Sequence, residues 1–191
     1  MEEESPSLNH LSQEESDFLN PELNLSPEQE NLSFNIPVLM FHYIQDIPSN
    51  TKDQLGYRLS YAPQKLDELL TFFEEQDITT LTFWDLKAII EDRQKVPEKA
   101  VILAFDDGHA DHYSNAYPIL KKHGAKAVFF IISGKPDQDP KFANRAQVKE
   151  LADAGFEIGS HSASHFNLTS LSTPALIEEL SGSKATLEAK T

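Results

Sequence analysis

The sequence predicts an α/β protein built on a parallel sheet, and two observations carry that prediction. Short apolar runs rich in β-branched and aromatic residues alternate with segments whose apolar residues recur at helical spacing. The alternation runs from Ile36 almost to the C-terminus, in the order β-α-β-α-β-α-β-α-β-α. Five strands are too few to close an eight-stranded barrel, which needs about 200 residues or more.

Each element has its own signal. Ile36–Ile44 (IPVLMFHYI) is a β-favouring run of strand length. After a polar loop, Pro63 opens a helix with Leu66, Leu69, Leu70 and Phe73 at i, i+3, i+4 and i+7. Thr79–Thr82 reads as a short strand and Phe83–Ile90 as a helix. Ala100–Phe105 (AVILAF) is a strand ended by Asp106-Asp107-Gly108. Asp111 is placed to N-cap a helix running to about Lys122, with Gly124 just past its end. Lys126–Ile132 is a buried strand. Asn144 caps Arg145–Ala154, Gly155 stops that helix, and Phe156–Ser160 is the fifth strand. Thr173-Pro174 starts a last helix, with a cap and a Pro at its first position. No strand follows before Thr191, so the domain is expected to be cut at its C-terminal side.

Composition narrows the function. The 191 residues include 31 acidic and 16 basic side chains, for a formal charge of −15. An acidic chain has no electrostatic footprint for phosphate backbones or anionic lipid, so nucleic acid and membrane surfaces are not expected partners. Without cysteine there is no disulfide framework, zinc ribbon or thiol nucleophile, and any metal must be held by His, Asp and Glu. The longest apolar run, Ala127–Ile132, is far short of the ~18 residues that span a bilayer, and no signal peptide is visible. Residues 1–33 hold nine acids and no Lys or Arg, and they are rich in Ser, Asn, Gln and Pro. We expect this stretch to be a disordered acidic tail or linker, with one domain over 34–191.

In parallel α/β folds the chemistry gathers at the carboxyl ends of strands. Three strand ends here carry groups that suit one site: His42 in the first, Asp106 and Asp107 after the third, and His161-Ser-Ala-Ser-His165 after the fifth. Two histidines four apart can meet one ion, and a carboxylate completes a His₂Asp set with positions open for water and substrate. Two adjacent aspartates then divide the labour. One ligates, and the other stays basic enough to take a proton from water whose pKa the cation lowers. The same ligands could hold Fe(II) for oxygen chemistry, although the second aspartate argues for hydrolysis. His109 and His112 flank the turn after the aspartates and could approach the site, but are expected at solvated loop positions; His123 is expected at a helix C-terminus, and Phe83 and Trp84 in packing.

These residues resemble the polysaccharide deacetylase family (NodB-homology domain, carbohydrate esterase family 4). Ala104-Phe105-Asp106-Asp107-Gly108 is similar to its first motif, T-F-D-D-G, and Ser160–His165 to its second, H-[ST]-x-x-H. Ala116–Leu120, Ala127–Ile131 and Gly155–Gly159 fit the flanking text, and Pro37–His42 resembles the subgroup acting on poly-β-1,6-N-acetylglucosamine. The resemblance implies a distorted (β/α)₇-type barrel, here incomplete. It implies Asp106 as base, Asp107, His161 and His165 as metal ligands, and His42 as general acid. Zinc is the expected ion, with cobalt or nickel as alternatives, and an acetylated GlcNAc-containing polysaccharide is the expected substrate. It further implies an extracytoplasmic location. Ala104 stands where the family has Thr, a replacement expected to be tolerated, but no third, Pro-Tyr-Gly-type motif follows His165, so poor turnover or none is expected. A non-catalytic glycan-binding module that keeps the metal site is the alternative.

Overall fold

The computed structural model describes residues 35–91 and 96–189. The acidic stretch 1–33 lies outside them. Five strands form one parallel sheet: β1 (Val38–Phe41), β2 (Thr79–Leu81), β3 (Ala100–Phe105), β4 (Val128–Ile131) and β5 (Glu157–Ser160). The spatial order is β1-β3-β4-β5, and β2 also pairs with β3. β1 matches Val38–Phe41 to Ile102–Phe105, while β2 takes Ala100–Ile102 and β4 takes Ala104 and Phe105. The sheet is thus open among the described residues, with β1 and β5 each paired on one side only.

β3 is the hub because its sequence is apolar throughout, as a parallel strand covered on both faces requires. Every residue from Val101 to Phe105 is buried. Phe105 stacks on Phe129 of β4 at 5.0 Å and on Phe41 of β1 at 5.1 Å, so aromatic rings bridge three adjacent strands. Truncating a core Phe of this kind costs about 3–5 kcal/mol, which is the scale of the rigidity supplied to the site.

The helices follow their sequence signals with three local exceptions. α1 (Gln54–Leu59) occupies the loop expected to be irregular, capped by Asp53, whose carboxylate accepts from the Gly56 N–H at 2.8 Å. α2 (Pro63–Glu75) buries Leu66, Leu70 and Phe73 as its spacing demands. α3 (Phe83–Glu91) follows β2. The expected Asp111-capped helix divides into a π-helical turn, His112–Ala116, and α4 (Tyr117–Lys122). Asp111 makes no side-chain cap. Its carboxylate accepts instead from the Ile44 N–H at 3.0 Å, tying this turn to the chain leaving β1. α5 (Arg145–Asp153) has the Asn144 cap, in a full capping box with Gln147. α6 (Thr173–Ile177) has Ser172, not Thr173, at its N-cap position, without a side-chain cap bond. A second π-helical turn, Glu178–Gly182, joins it to α7 (Ser183–Glu188), which packs on β5.

Candidate active site

The polar groups gather where the strands end. Phe41 pairs with Phe105, and the Asp106 N–H donates to the Phe41 carbonyl at 2.9 Å, so His42 and Asp106 leave the sheet side by side. Asp107 follows with φ 75° and Gly108 with φ 77°. Gly108 has no room for a side chain, because a Cβ there would lie 2.9 Å from Ile131 Cδ1. Two successive left-handed residues turn the chain back over the strand end and swing the Asp107 carboxylate toward β5.

From β5 the chain enters the His161–His165 loop. The His161 N–H donates to the Ile131 carbonyl at 2.9 Å, and the N–H groups of Ser133 and Gly134 donate to Ser162 and Ala163. Gly134 permits that approach, since a Cβ would sit 2.7 Å from the Ala163 oxygen. Ser162 and His165 are left-handed, with φ 61° and 62°. Glu179, from the turn before α7, closes the loop: its Oε2 accepts from the N–H groups of Ala163 (3.0 Å) and Ser164 (2.8 Å). Burial raises the Glu179 carboxyl, but these N–H donors outweigh it and hold the pKa below the ordinary value. Ser160 Oγ and Ser183 Oγ share a 2.7 Å hydrogen bond that seats α7 on the end of β5. Glu179 had no signal in the sequence, because a carboxylate on a later turn is recognisable as a loop cap only once its position is known.

The result is a convergent triad. Asp107 Oδ1 lies 3.3 Å from His161 Nε2 and 3.4 Å from His165 Nε2, and the two imidazoles stack at 5.1 Å. Oδ1 is buried and has no hydrogen-bond partner. Two ligands each about 2.1 Å from one tetrahedral ion stand about 3.4 Å apart, so these separations are those of a shared cation. The donor set therefore fits a divalent metal, which Asp107, His161 and His165 could hold.

The electrostatics separate the two aspartates. Contact with His109 first, then His161, holds the Asp107 carboxyl far below the usual carboxylate range, against its burial. Asp106 moves the other way. Its burial raises it, outweighing the attraction of His161 and His42. An ionised ligand and a more basic neighbour thus sit on consecutive residues. The histidine His161 is raised by its contact with Asp107, against burial.

Two expectations fail here. His109 and His112 are not solvated: they are 8% and 1% exposed. His112 Nε2 lies 2.7 Å from the His42 carbonyl, and since a carbonyl only accepts, Nε2 carries the proton. Trp84 does not pack inward as Phe83 does. It is 64% exposed and lines an open groove of about 610 Å³ together with Glu157–Ser160 of β5, His161, His165 and Phe166.

A parallel α/β sheet carrying an acidic pair and two histidines at its strand ends offers a donor set that could hold a metal ion for hydrolysis. The sequence profile of the family described as polysaccharide deacetylase matches residues 93–191, a little over half of the chain, and the chain belongs to that family. The Bacillus subtilis (strain 168) protein YxkH, named for the same family, is 32% identical over 149 residues, covering 78% of this chain and 50% of that protein. A poly-β-1,6-N-acetyl-D-glucosamine N-deacetylase of Staphylococcus aureus (strain MRSA252) is 28% identical over 127 residues, 63% of this chain and 42% of the relative. Among solved structures, the Streptococcus pyogenes deacetylase PplD in complex with acetate superposes with a TM-score of 0.72 at 27% identity. That match covers 82% of this chain and 70% of PplD. The chain spans half the length of the Bacillus relative.

Proposed function

We propose that this chain hydrolyses N-acetyl groups from a GlcNAc-containing polysaccharide, using a divalent metal held by Asp107, His161 and His165. The observation that carries this is the 3.3 and 3.4 Å convergence of two imidazoles on one buried carboxylate oxygen, beside a second aspartate raised by burial. A bound divalent cation supplies Lewis acidity there, lowering the pKa of water toward about 7 and polarising an acetamide carbonyl. Asp106, kept off the triad and more basic than an ordinary aspartate, takes the proton of the attacking water. His42, leaving the neighbouring strand end, donates the proton that the departing sugar amine needs. The products are acetate and a glucosamine unit. Zinc suits the ligands, and cobalt or nickel would be accepted by the same donors. Among the named relatives the poly-β-1,6-N-acetyl-D-glucosamine N-deacetylase supports a poly-N-acetylglucosamine type of substrate. No helix among the described residues is long and apolar enough to cross a membrane.

The test combines metal content with acetate release. Elemental analysis after zinc loading should give about one equivalent for the wild type and none for Asp107→Asn, with circular dichroism unchanged. Asp106→Asn should keep the metal and lose acetate release from a GlcNAc oligomer by about 10²–10⁴-fold. A folded wild type without metal would sink the proposal. Glycan affinity unchanged in Asp106→Asn, with no turnover in either protein, would instead indicate a binding module.

A further inference from the structure

The triad uses only one oxygen of Asp107. The other, Oδ2, lies 3.2 Å from Nε2 of His109, two residues along the chain. His109 is buried, and its ring is clamped on both faces, stacking on Tyr43 at 4.2 Å and on Phe142 at 5.0 Å. The edge of His112 closes a third side at 5.8 Å. The backbone is pinned as well, with Ala110 N–H on the Lys141 carbonyl and Ala143 N–H on that of Gly108. An imidazole so held cannot swing away. Its buried Nε2 makes no hydrogen bond of full geometry, and the Asp107 carboxylate lies within its reach at 3.2 Å.

We propose that His109 is a positioning residue for the metal ligand: its Nε2–H holds Oδ2 of Asp107, so that Oδ1 alone is presented to the ion shared with His161 and His165. This rests on the metal-dependent reading above. The physical reason is the symmetry of a carboxylate. Free to rotate, Asp107 can bind with either oxygen or with both, and a bidentate carboxylate would fill a position that water or substrate needs. A fixed donor on Oδ2 removes that freedom, as partners of ligating groups do in metal sites generally. Tyr43, at the end of the first strand run, and Phe142, before α5, therefore act on the metal site through the ring they enclose.

Three substitutions in the 191-residue chain separate the N–H from the ring. His109→Phe keeps the ring and loses the donor. His109→Gln keeps an N–H near the Nε2 position without the ring, and His109→Met has neither. Zinc affinity, measured by competition with a chromogenic chelator, should fall about 10–100-fold in Phe and Met and stay within about threefold of wild type in Gln. Thermal unfolding of the metal-free proteins reads the packing loss separately. If His109→Phe does not fold, the shape-matched Gln and Met pair decides. Wild-type affinity in Phe, or Gln as weak as Met, overturns the proposal. A wild type that binds no zinc overturns the metal reading itself, which a flat His109 series on a zinc-binding wild type does not.

Discussion

At the scale of residues, burial decides what each histidine can do. His112 is 1% exposed, and burial drives its pKa down to about 3, so it is a neutral donor to the His42 carbonyl at neutral pH. An unfolded histidine titrates near 6.5, so between these values the unfolded chain binds the extra proton. This part of the stability is complete above pH 6.5 and is lost as pH falls toward 3. Urea unfolding of the metal-free chain should show a loss on the order of 3 kcal/mol between pH 7 and pH 4 from this group. His112→Gln, which keeps a donor for the carbonyl but cannot titrate, should lose less over the same interval. The candidate ligands themselves were legible in the sequence. Asp107, His161 and His165 sit in short motifs whose spacing is itself the geometry of a site. His109, His112 and Glu179 were not, because their roles come from rings and N–H groups supplied by distant segments. Only the fold brings Tyr43, Phe142 and the His161–His165 loop to them.

At the scale of elements, regular signals were read well and their junctions were not. AVILAF forms β3 with the expected bounds, since an unbroken apolar run between polar turns has one stable reading. The Asp111 region misled because Asp111 has a better partner than its own helix, the N–H of Ile44, and the turn widens to a π form to reach it. At the end of α4 the expectation holds, with His123 at the helix C-terminus, and the structure adds a clamp to α2. His123 terminates α4, and its ring meets Glu74 at 2.7 Å and Asp67 at 2.8 Å, both on α2. Burial lowers its pKa, but the two carboxylates outweigh this and leave it raised. A raised histidine gives its stabilisation in full below the unfolded value of 6.5 and loses it as pH climbs through the folded value. Both carboxylates are partly exposed, so solvent screens much of the effect. The melting temperature should fall by roughly 1–3 °C from pH 6 to pH 8.5, and His123→Gln should remove that dependence. The slope is opposite in sign to that of His112, so the two variants report separately.

At the scale of the whole molecule, the alternation of strands and helices made the parallel sheet legible, but not its order. Consecutive strands β1 and β2 do not pair, because both dock on β3, and β2, with three residues, covers only its first half. The sheet also leaves β1 and β5 with one unpaired side each among the described residues. Val38 and Met40 of β1 are 47% and 63% exposed, and an apolar strand edge of this kind templates pairing with other chains. Static light scattering should show concentration-dependent association of the wild type. Met40→Lys should reduce it while leaving zinc stoichiometry unchanged.

The same strand order bears on how the proposed metal site would form. Asp107 leaves β3 and the two histidines follow β5, with β4 lying between them in the sheet. Asp107 is separated from the His161–His165 pair by a long stretch of sequence and by one full strand of space, so the three have no common position until β4 has been laid down. An ion meeting the unfolded chain would find at most the two histidines, four residues apart, without the carboxylate. It would gain its full affinity only from a finished sheet, and so act as a latch on the native state, slowing the way out without hastening the way in.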